Sequence, residues 1–240
     1  MLQVEFVSLF PEMVLGAVKH SILNRASDSG LVCFGCTNPR DFARDNHRTV
    51  DDSPFGGGPG MVMKCEPLAD AIESLPPCAK QAIVLTDPTG TPFKQEHAHV
   101  LAGYERIVFL CGHYEGIDDR IRQRYATHVF SIGDYVLTGG ELASLVMADA
   151  VVRTLPGALG SSESLLVDSH SEGLLSAPQF TRPEEYFGIA VPAVLRSGDH
   201  GAIASWRRRQ SLELTRRLRP DLFWSAPLER SDLKLLSPKD

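Results

Sequence analysis

No stretch of the 240 residues approaches the ~20 consecutive apolar residues that cross a bilayer. The start, Met1-Leu2-Gln3-Val4-Glu5, has neither the basic nor the apolar region of a secretory leader. A cytoplasmic protein without a membrane partner is expected. Cysteine is scarce and unpaired in number: Cys33, Cys36, Cys65, Cys78 and Cys111 make five, which argues against a disulfide framework. Cys33 and Cys36 have C-x-x-C spacing, but no second pair completes a zinc ribbon, so they are read as strand packing. Positive charge is in deficit, with a net charge of −6, so any polyanion contact must come from local clustering. Several chemical signatures are also missing. The lack of G-x-x-x-x-G-K-[ST] and of G-x-G-x-x-G argues against a P-loop NTPase and a Rossmann dinucleotide enzyme, and G-x-S-x-G and H-E-x-x-H are absent too.

What is present is globular material, 43% hydrophobic and 22% charged, long enough for one sizeable core and a smaller unit. Short β-branched runs at 4–9, 31–36, 82–85, 106–111 and 128–132 alternate with helical patterns at 12–24, 66–75, 94–102, 117–125 and 140–154. That alternation predicts an α/β domain with a mainly parallel sheet. Polar sequence at Gly160-Ser-Ser-Glu-Ser164 marks a change, and the expected division is a domain over 1–159, a flexible linker over 160–175 and a small helical C-terminal domain over 176–240. Helices are expected there at 193–196, 202–218 and 221–224. Between Arg196 and Arg219 lie seven arginines against only Asp199 and Glu213. Such a cluster is either a polyanion contact or a solvated helix face.

Three glycine-rich segments stand at the ends of predicted strands, where open parallel sheets place their ligands. They contain Gly56-Gly-Gly-Pro-Gly-Met61, Cys111-Gly112-His113-Tyr114-Glu115-Gly116-Ile117-Asp118 and Ser131-Ile-Gly-Asp-Tyr-Val-Leu-Thr-Gly-Gly-Glu-Leu142. Glycine serves where the backbone takes a positive φ or must approach a ligand closely, so three such loops together suggest a pocket lined by main chain. Asp118-Asp119-Arg120 reads as a helix start, and His97 and His99 fall on different helix faces, poor geometry for a metal.

With these segments, and with Phe10-Pro-Glu-Met13, Asp168-Ser169, Gly173-Leu-Leu175, Pro178-Gln-Phe-Thr-Arg-Pro183, Val191-Pro192, Leu195-Arg-Ser-Gly-Asp-His200 and Trp206-Arg207, the chain resembles the bacterial tRNA (guanine-N1)-methyltransferases, the TrmD family of the trefoil-knotted SPOUT class. The likeness covers nearly the whole chain. It implies methyl transfer from S-adenosylmethionine (SAM) to N1 of the guanosine at tRNA position 37 by a homodimer with active sites at the subunit interface. The knotted domain would hold SAM through Leu85, Thr86, Asp87, Gly112, Tyr114, Glu115, Ile132, Gly133, Asp134, Tyr135, Val136, Leu137, Gly139 and Gly140. Asp168 matches the general base and Arg153 its assistant. Substrate contacts fall to Asp51, Gly58, Arg182, His200 and Arg207, with Arg207 to Arg209 expected on phosphates. Magnesium dependence is also implied, but no ligand cluster in the sequence places the ion.

Chemistry agrees with a base, because guanine at neutral pH keeps a proton on N1 that must be removed. Read without the resemblance, Arg153 could only complement a helix dipole and Asp168 could be a solvated loop acid. The chain departs from the usual pattern at His113, where arginine is common, at Asp87-Pro-Thr-Gly90 and at Ala143. A histidine there gives up arginine's permanent charge. Two other readings stay open: a SPOUT methyltransferase acting on another RNA nucleotide, and a non-catalytic RNA-binding module.

Overall fold

The computed structural model describes residues 1–160 and 168–237; residues 161–167 of the expected linker and 238–240 lie outside the described residues. The chain divides into two compact units, Met1–Gly160 and Ser161–Asp240.

The strands of the first unit are β1 (Leu2–Val7), β2 (Val32–Thr37), β3 (Asp51–Asp52), β4 (Val62–Met63), β5 (Gln81–Pro92), β6 (Arg106–Cys111) and β7 (His128–Ser131). β3 and β4 form a short antiparallel pair of their own; the other five make a sheet in the order β2-β1-β6-β5-β7, every pairing parallel. The period-2 alternation of side chains divides each strand between two cores. On one face Val4, Phe6, Val84, Ile107 and Phe109 share a core with residues of α1 (Pro11–Ala17), α2 (Ser21–Asp28), α4 (Gln95–Ala102) and α6 (Glu141–Arg153). On the other, Val7, Leu85, Val108 and Leu110 meet α3 (Cys65–Glu73) and α5 (Asp119–Tyr125). A sheet covered on both faces has strands that read as continuous apolar runs, as β6 does.

Two elements differ from expectation. The single helix predicted over 12–24 is two, because the chain turns after Val18 and re-enters at Ser21 with φ 53°. The break lets both Val18 and Leu23 enter the same core, which one straight helix would not. The strand predicted over 82–85 continues to Pro92: Thr86 and Thr91 both pair with Phe130, and residues 87–90 arch between them. Asp87 Oδ1 holds that arch by accepting hydrogen bonds from the Thr89 amide (2.8 Å) and hydroxyl (2.6 Å).

The second unit packs Leu174, Leu212 and Phe223 together. Its helices are α7 (His200–Leu218), α8 (Pro220–Ser225) and α9 (Arg230–Leu236), and a 3₁₀ turn spans Ala193–Arg196. Asp199 caps α7 by accepting the Ala202 amide at 2.9 Å. A small hairpin pairs β8 (Glu185–Tyr186) with β9 (Ile189–Ala190). Strand alternation does not announce it in the sequence; positive φ at Phe187 (50°) and Gly188 (75°) makes the tight turn.

Candidate active site

Strands β5, β6 and β7 end side by side, and the loops leaving them enclose a cleft of about 190 Å³. Its floor is Leu85 and Thr86, the last residues of β5 before its arch, with Asp87 at the start of the arch. One wall is Gly112, Tyr114 and Glu115; the other is Ile132, Gly133, Tyr135, Val136 and Leu137, closed by Gly139 and Gly140. Of the residues that the family likeness assigns to the methyl donor, Asp134 alone does not line it. Pro88, His113, Gly116, Ile117, Phe130, Ser131, Thr138 and Ala143 line it without having been assigned.

Main chain is close enough to main chain here that side chains would not fit. A Cβ on Gly140 would lie 2.2 Å from Thr86 Oγ1 and 2.9 Å from Cys111 Cα. The Gly140 amide donates to the Gly112 carbonyl at 2.8 Å, tying the third glycine-rich segment to the second. Gly133, at φ 155°, has the Tyr135 ring against it, with Cε1 at 2.4 Å from the position of a Cβ. Ser131 steadies this turn, its hydroxyl donating to the Gly133 carbonyl at 3.0 Å. Tyr114, a non-glycine residue at φ 58°, is a local strain point of the kind found at ligand clamps.

The first glycine-rich segment belongs to the same neighbourhood, carried between β3 and β4. The Met63 amide donates to the Gly116 carbonyl and the Glu115 amide to the Met61 carbonyl, each at 3.0 Å. A Cβ on Gly60 would strike the Glu115 side chain, whereas Gly58, at φ 129°, faces open space. Asp51 is half-buried and Gly58 exposed, and neither lines the cleft.

Beneath the cleft lies a buried polar layer that sequence reasoning missed. Glu141, only 2% exposed, opens α6 and accepts the Ser8 hydroxyl at 2.7 Å. Burial pushes the Cys36 thiol up to about 12, the Glu5 carboxylate adding to the effect, and burial raises the Cys111 thiol further. Neither is a nucleophile near neutral pH. At the start of α5, Arg120 grips Asp118 through Nε–Oδ1 (2.9 Å) and Nη2–Oδ2 (2.7 Å) and holds that carboxyl well below the ordinary aspartate range. Asp118 therefore serves as a helix cap, as the sequence suggested.

Arg153 ends α6 in the first unit. Asp168, half-buried, is in the second unit, where it lines a cavity of about 310 Å³ with Arg207 and Arg208. Arg182 precedes a cis proline and shares another cavity with Arg196 and Arg207, and His200 is the first residue of α7. The expectation that Arg207 to Arg209 all serve phosphates meets carboxylates that compete for two of the three. Arg208 is held by Asp232 and Glu172, and Arg209 by Glu213 at 2.8 Å. The carboxylates of Asp232 and Glu172 come from outside the arginine-rich window, so a count along the chain could not see them. Among the described residues Arg207, Arg216 and Arg217 make no ion pair. Among the same residues no group of three or more His, Cys, Asp or Glu side chains could hold a metal ion, and no helix is long and apolar enough to cross a membrane.

Residues 2–225 match the family model described as tRNA (Guanine-1)-methyltransferase TrmD. The chain is 51% identical to a tRNA (guanine-N(1)-)-methyltransferase of Geobacter sulfurreducens, over 97% of this chain and 96% of the relative. It is 50% identical to the protein of that name from Brevibacillus brevis, over 98% and 97% of the two chains. A third, from Dehalococcoides mccartyi strain CBDB1, is 49% identical over 98% and 96%. The chain belongs to the tRNA (guanine-1)-methyltransferase TrmD family.

Proposed function

We propose that this protein is an enzyme that transfers the methyl group of SAM to N1 of a guanosine in tRNA, the guanosine at position 37. One observation carries the reading: in a chain of this family, the residues assigned to the methyl donor gather, Asp134 apart, around one cleft at the carboxyl ends of parallel strands. The cleft suits SAM in kind. Leu85, Ile132 and Leu137 offer apolar walls, and the close glycine packing brings main-chain donors and acceptors to the edge of a bound base. Bound there, SAM supplies an electrophilic methyl on a sulfonium leaving group.

The protein's part is then alignment and proton removal. Asp168 takes the N1 proton of guanine, and the Arg153 guanidinium stabilises the negative charge that develops on O6. Burial of Cys36 and Cys111 as high-pKa thiols accords with direct transfer without a covalent enzyme intermediate.

The finer architecture follows the same reading. A trefoil knot is supported by the tight passage of Gly90 against the Phe130 backbone, 2.6 Å from the position of a Cβ, and of Gly140 against Cys111 and Gly112. A homodimer is supported by the outer face of α6, where Leu142 and Val146 are half exposed beside Tyr135 and Leu137. The second unit binds tRNA, and the enzyme works in the cytoplasm. Mg²⁺ supports turnover, with no protein ligand set assigned to it.

The test is mass spectrometry of a tRNA carrying guanosine at positions 36 and 37 after incubation with enzyme and SAM. A methyl on N1 of residue 37 is expected, and none when that guanosine is replaced. Undiminished methylation of the replaced tRNA would overturn the assignment.

A further inference from the structure

His113 Nδ1 is buried and has no hydrogen-bond partner among the described residues. Leaving such a nitrogen unsatisfied is costly, so its surroundings call for an explanation. The facing group is Glu141 Oε2, at 4.0 Å: inside ion-pair range but too far for a hydrogen bond. The other oxygen of Glu141 is already taken by Ser8. Gly139 lies between the two side chains, and a Cβ there would be 2.4 Å from both His113 Nδ1 and Glu141 Oε2. His113 and Gly139 also form an isolated antiparallel bridge. Phe10, with its ring 5.0 Å away, and Tyr114, perpendicular at 5.1 Å, fix the imidazole plane.

We propose that His113 and Glu141 are a positioning pair for the methyl-donor cleft: a latch that spans Gly139 and clamps the loop over 131–140 onto the segment over 111–114. His113 lines the cleft, while the buried carboxylate stands behind it at the start of α6. When a ligand fills the cleft, the two walls draw together, and Nδ1–H donates to Oε2. The unmade contact thus becomes a charge-assisted hydrogen bond that exists only in the closed cleft. Binding then gains a contact that the open state lacks, and the closed, ligand-filled cleft is favoured by that amount. Ser8 keeps the carboxylate aimed, so the pair works only with Glu141 held in place.

This inference rests on reading the cleft as the SAM site, and the experiment separates the two. SAM is titrated by calorimetry into the full-length protein, into His113→Ala, Glu141→Gln and their double variant, and into His113→Arg. If the unaltered protein shows no saturable binding, the donor-site reading fails and the latch with it. If it binds, each single variant is expected to weaken SAM about tenfold or more, the scale of one hydrogen bond to a charged group. The double variant is expected to lose no more than His113→Ala alone, because glutamine keeps an acceptor oxygen but not the charge, and without the imidazole that charge has nothing left to hold. Arginine at 113, a permanent cation with longer reach, is expected to restore binding to within about threefold of the unaltered protein. Unchanged affinity in His113→Ala overturns the latch, as do additive losses, or losses that follow a falling thermal midpoint and are not rescued by arginine.

Discussion

Arg208 and Asp232 are joined by two parallel hydrogen bonds, Nε to Oδ1 and Nη2 to Oδ2, each 2.8 Å. Asp232 is 3% exposed and also accepts the Glu229 amide at 3.0 Å, so one carboxylate ties α7 to the start of α9. Arg208 holds it below its ordinary range. Asp232→Ala should therefore destabilise the protein by about 2–4 kcal/mol, since it removes a cap and leaves a half-buried guanidinium under-paired. A carboxyl with a depressed folded-state pKa gives stability above its unfolded value, about 3.9, that is lost as pH falls through the lower folded value. Thermal melts should show the gap between Asp232→Ala and the unaltered protein constant from about pH 7 to about pH 5 and narrowing below about pH 4. A gap that does not depend on acid would show that the charge is not what matters.

The same pairing bears on which arginines would meet RNA if the second unit binds tRNA as proposed. Arg207, Arg216 and Arg217 are exposed and make no ion pair among the described residues. Removing one cation from a phosphate should flatten the dependence of log affinity on log salt by roughly 0.7–0.9. Arg207→Ala, alone and with Arg216→Ala, should thus weaken tRNA binding at low salt and reduce this slope stepwise without changing the melting temperature. Arg208→Ala should lower the melting temperature instead. Equal effects on binding from Arg207→Ala and Arg208→Ala, with stability intact, would contradict this division.

Much of this was legible in the sequence, for a local reason. Short β-branched apolar runs identified the five sheet strands, and glycine clusters at their ends pointed to the cleft, because both signals act through neighbours in the chain. The break before Ser21 was not legible, since its benefit is the placing of Val18 and Leu23 in a core built by distant residues. In the sequence the strand reads as ending at Leu85, although β5 resumes after the arch over 87–90. Long-range pairing was hidden most completely: Ser8 with Glu141 spans 133 positions, and the arginine-rich window is partly neutralised from outside itself. His113 stood out only as a departure from the family pattern, and its meaning needed the carboxylate behind it.

Glycines that look alike in sequence should respond differently to alanine. At Gly140 the added methyl would press on the backbone of Cys111 and Gly112 as well as on Thr86, and at Gly90 it would press on the Phe130 backbone. Neither backbone can rotate out of the way, so each substitution should cost about 1–3 kcal/mol or shift the strand ends, with SAM affinity falling alongside stability. At Gly58 there is room, and the cost is that of φ 129° alone. Gly58→Ala should leave SAM affinity unchanged and bear on tRNA turnover. Calorimetry and thermal melts on the three variants check this, and tight SAM binding by Gly140→Ala would refute the close packing of the third glycine-rich segment on the second.

Asp168 and the proposed SAM cleft lie in different units of the chain, and that separation makes the proposed base role testable on its own. Asparagine is nearly the same size as aspartate and keeps an acceptor oxygen, yet it cannot take a proton at neutral pH. Asp168→Asn should therefore bind SAM and tRNA within about threefold of the unaltered protein, while turnover falls about 100-fold or more, the usual share of general-base catalysis. Arg153→Ala should also lower turnover, by roughly 100-fold if it stabilises charge on O6. Raising pH offers a further distinction. Guanine loses its N1 proton without help in alkaline solution, so the deficit of Asp168→Asn should shrink as pH rises, whereas that of Arg153→Ala should persist because O6 still carries charge. Single-turnover rates across pH report this directly, and an Asp168→Asn deficit independent of pH would leave Asp168 as a binding or folding residue rather than the base.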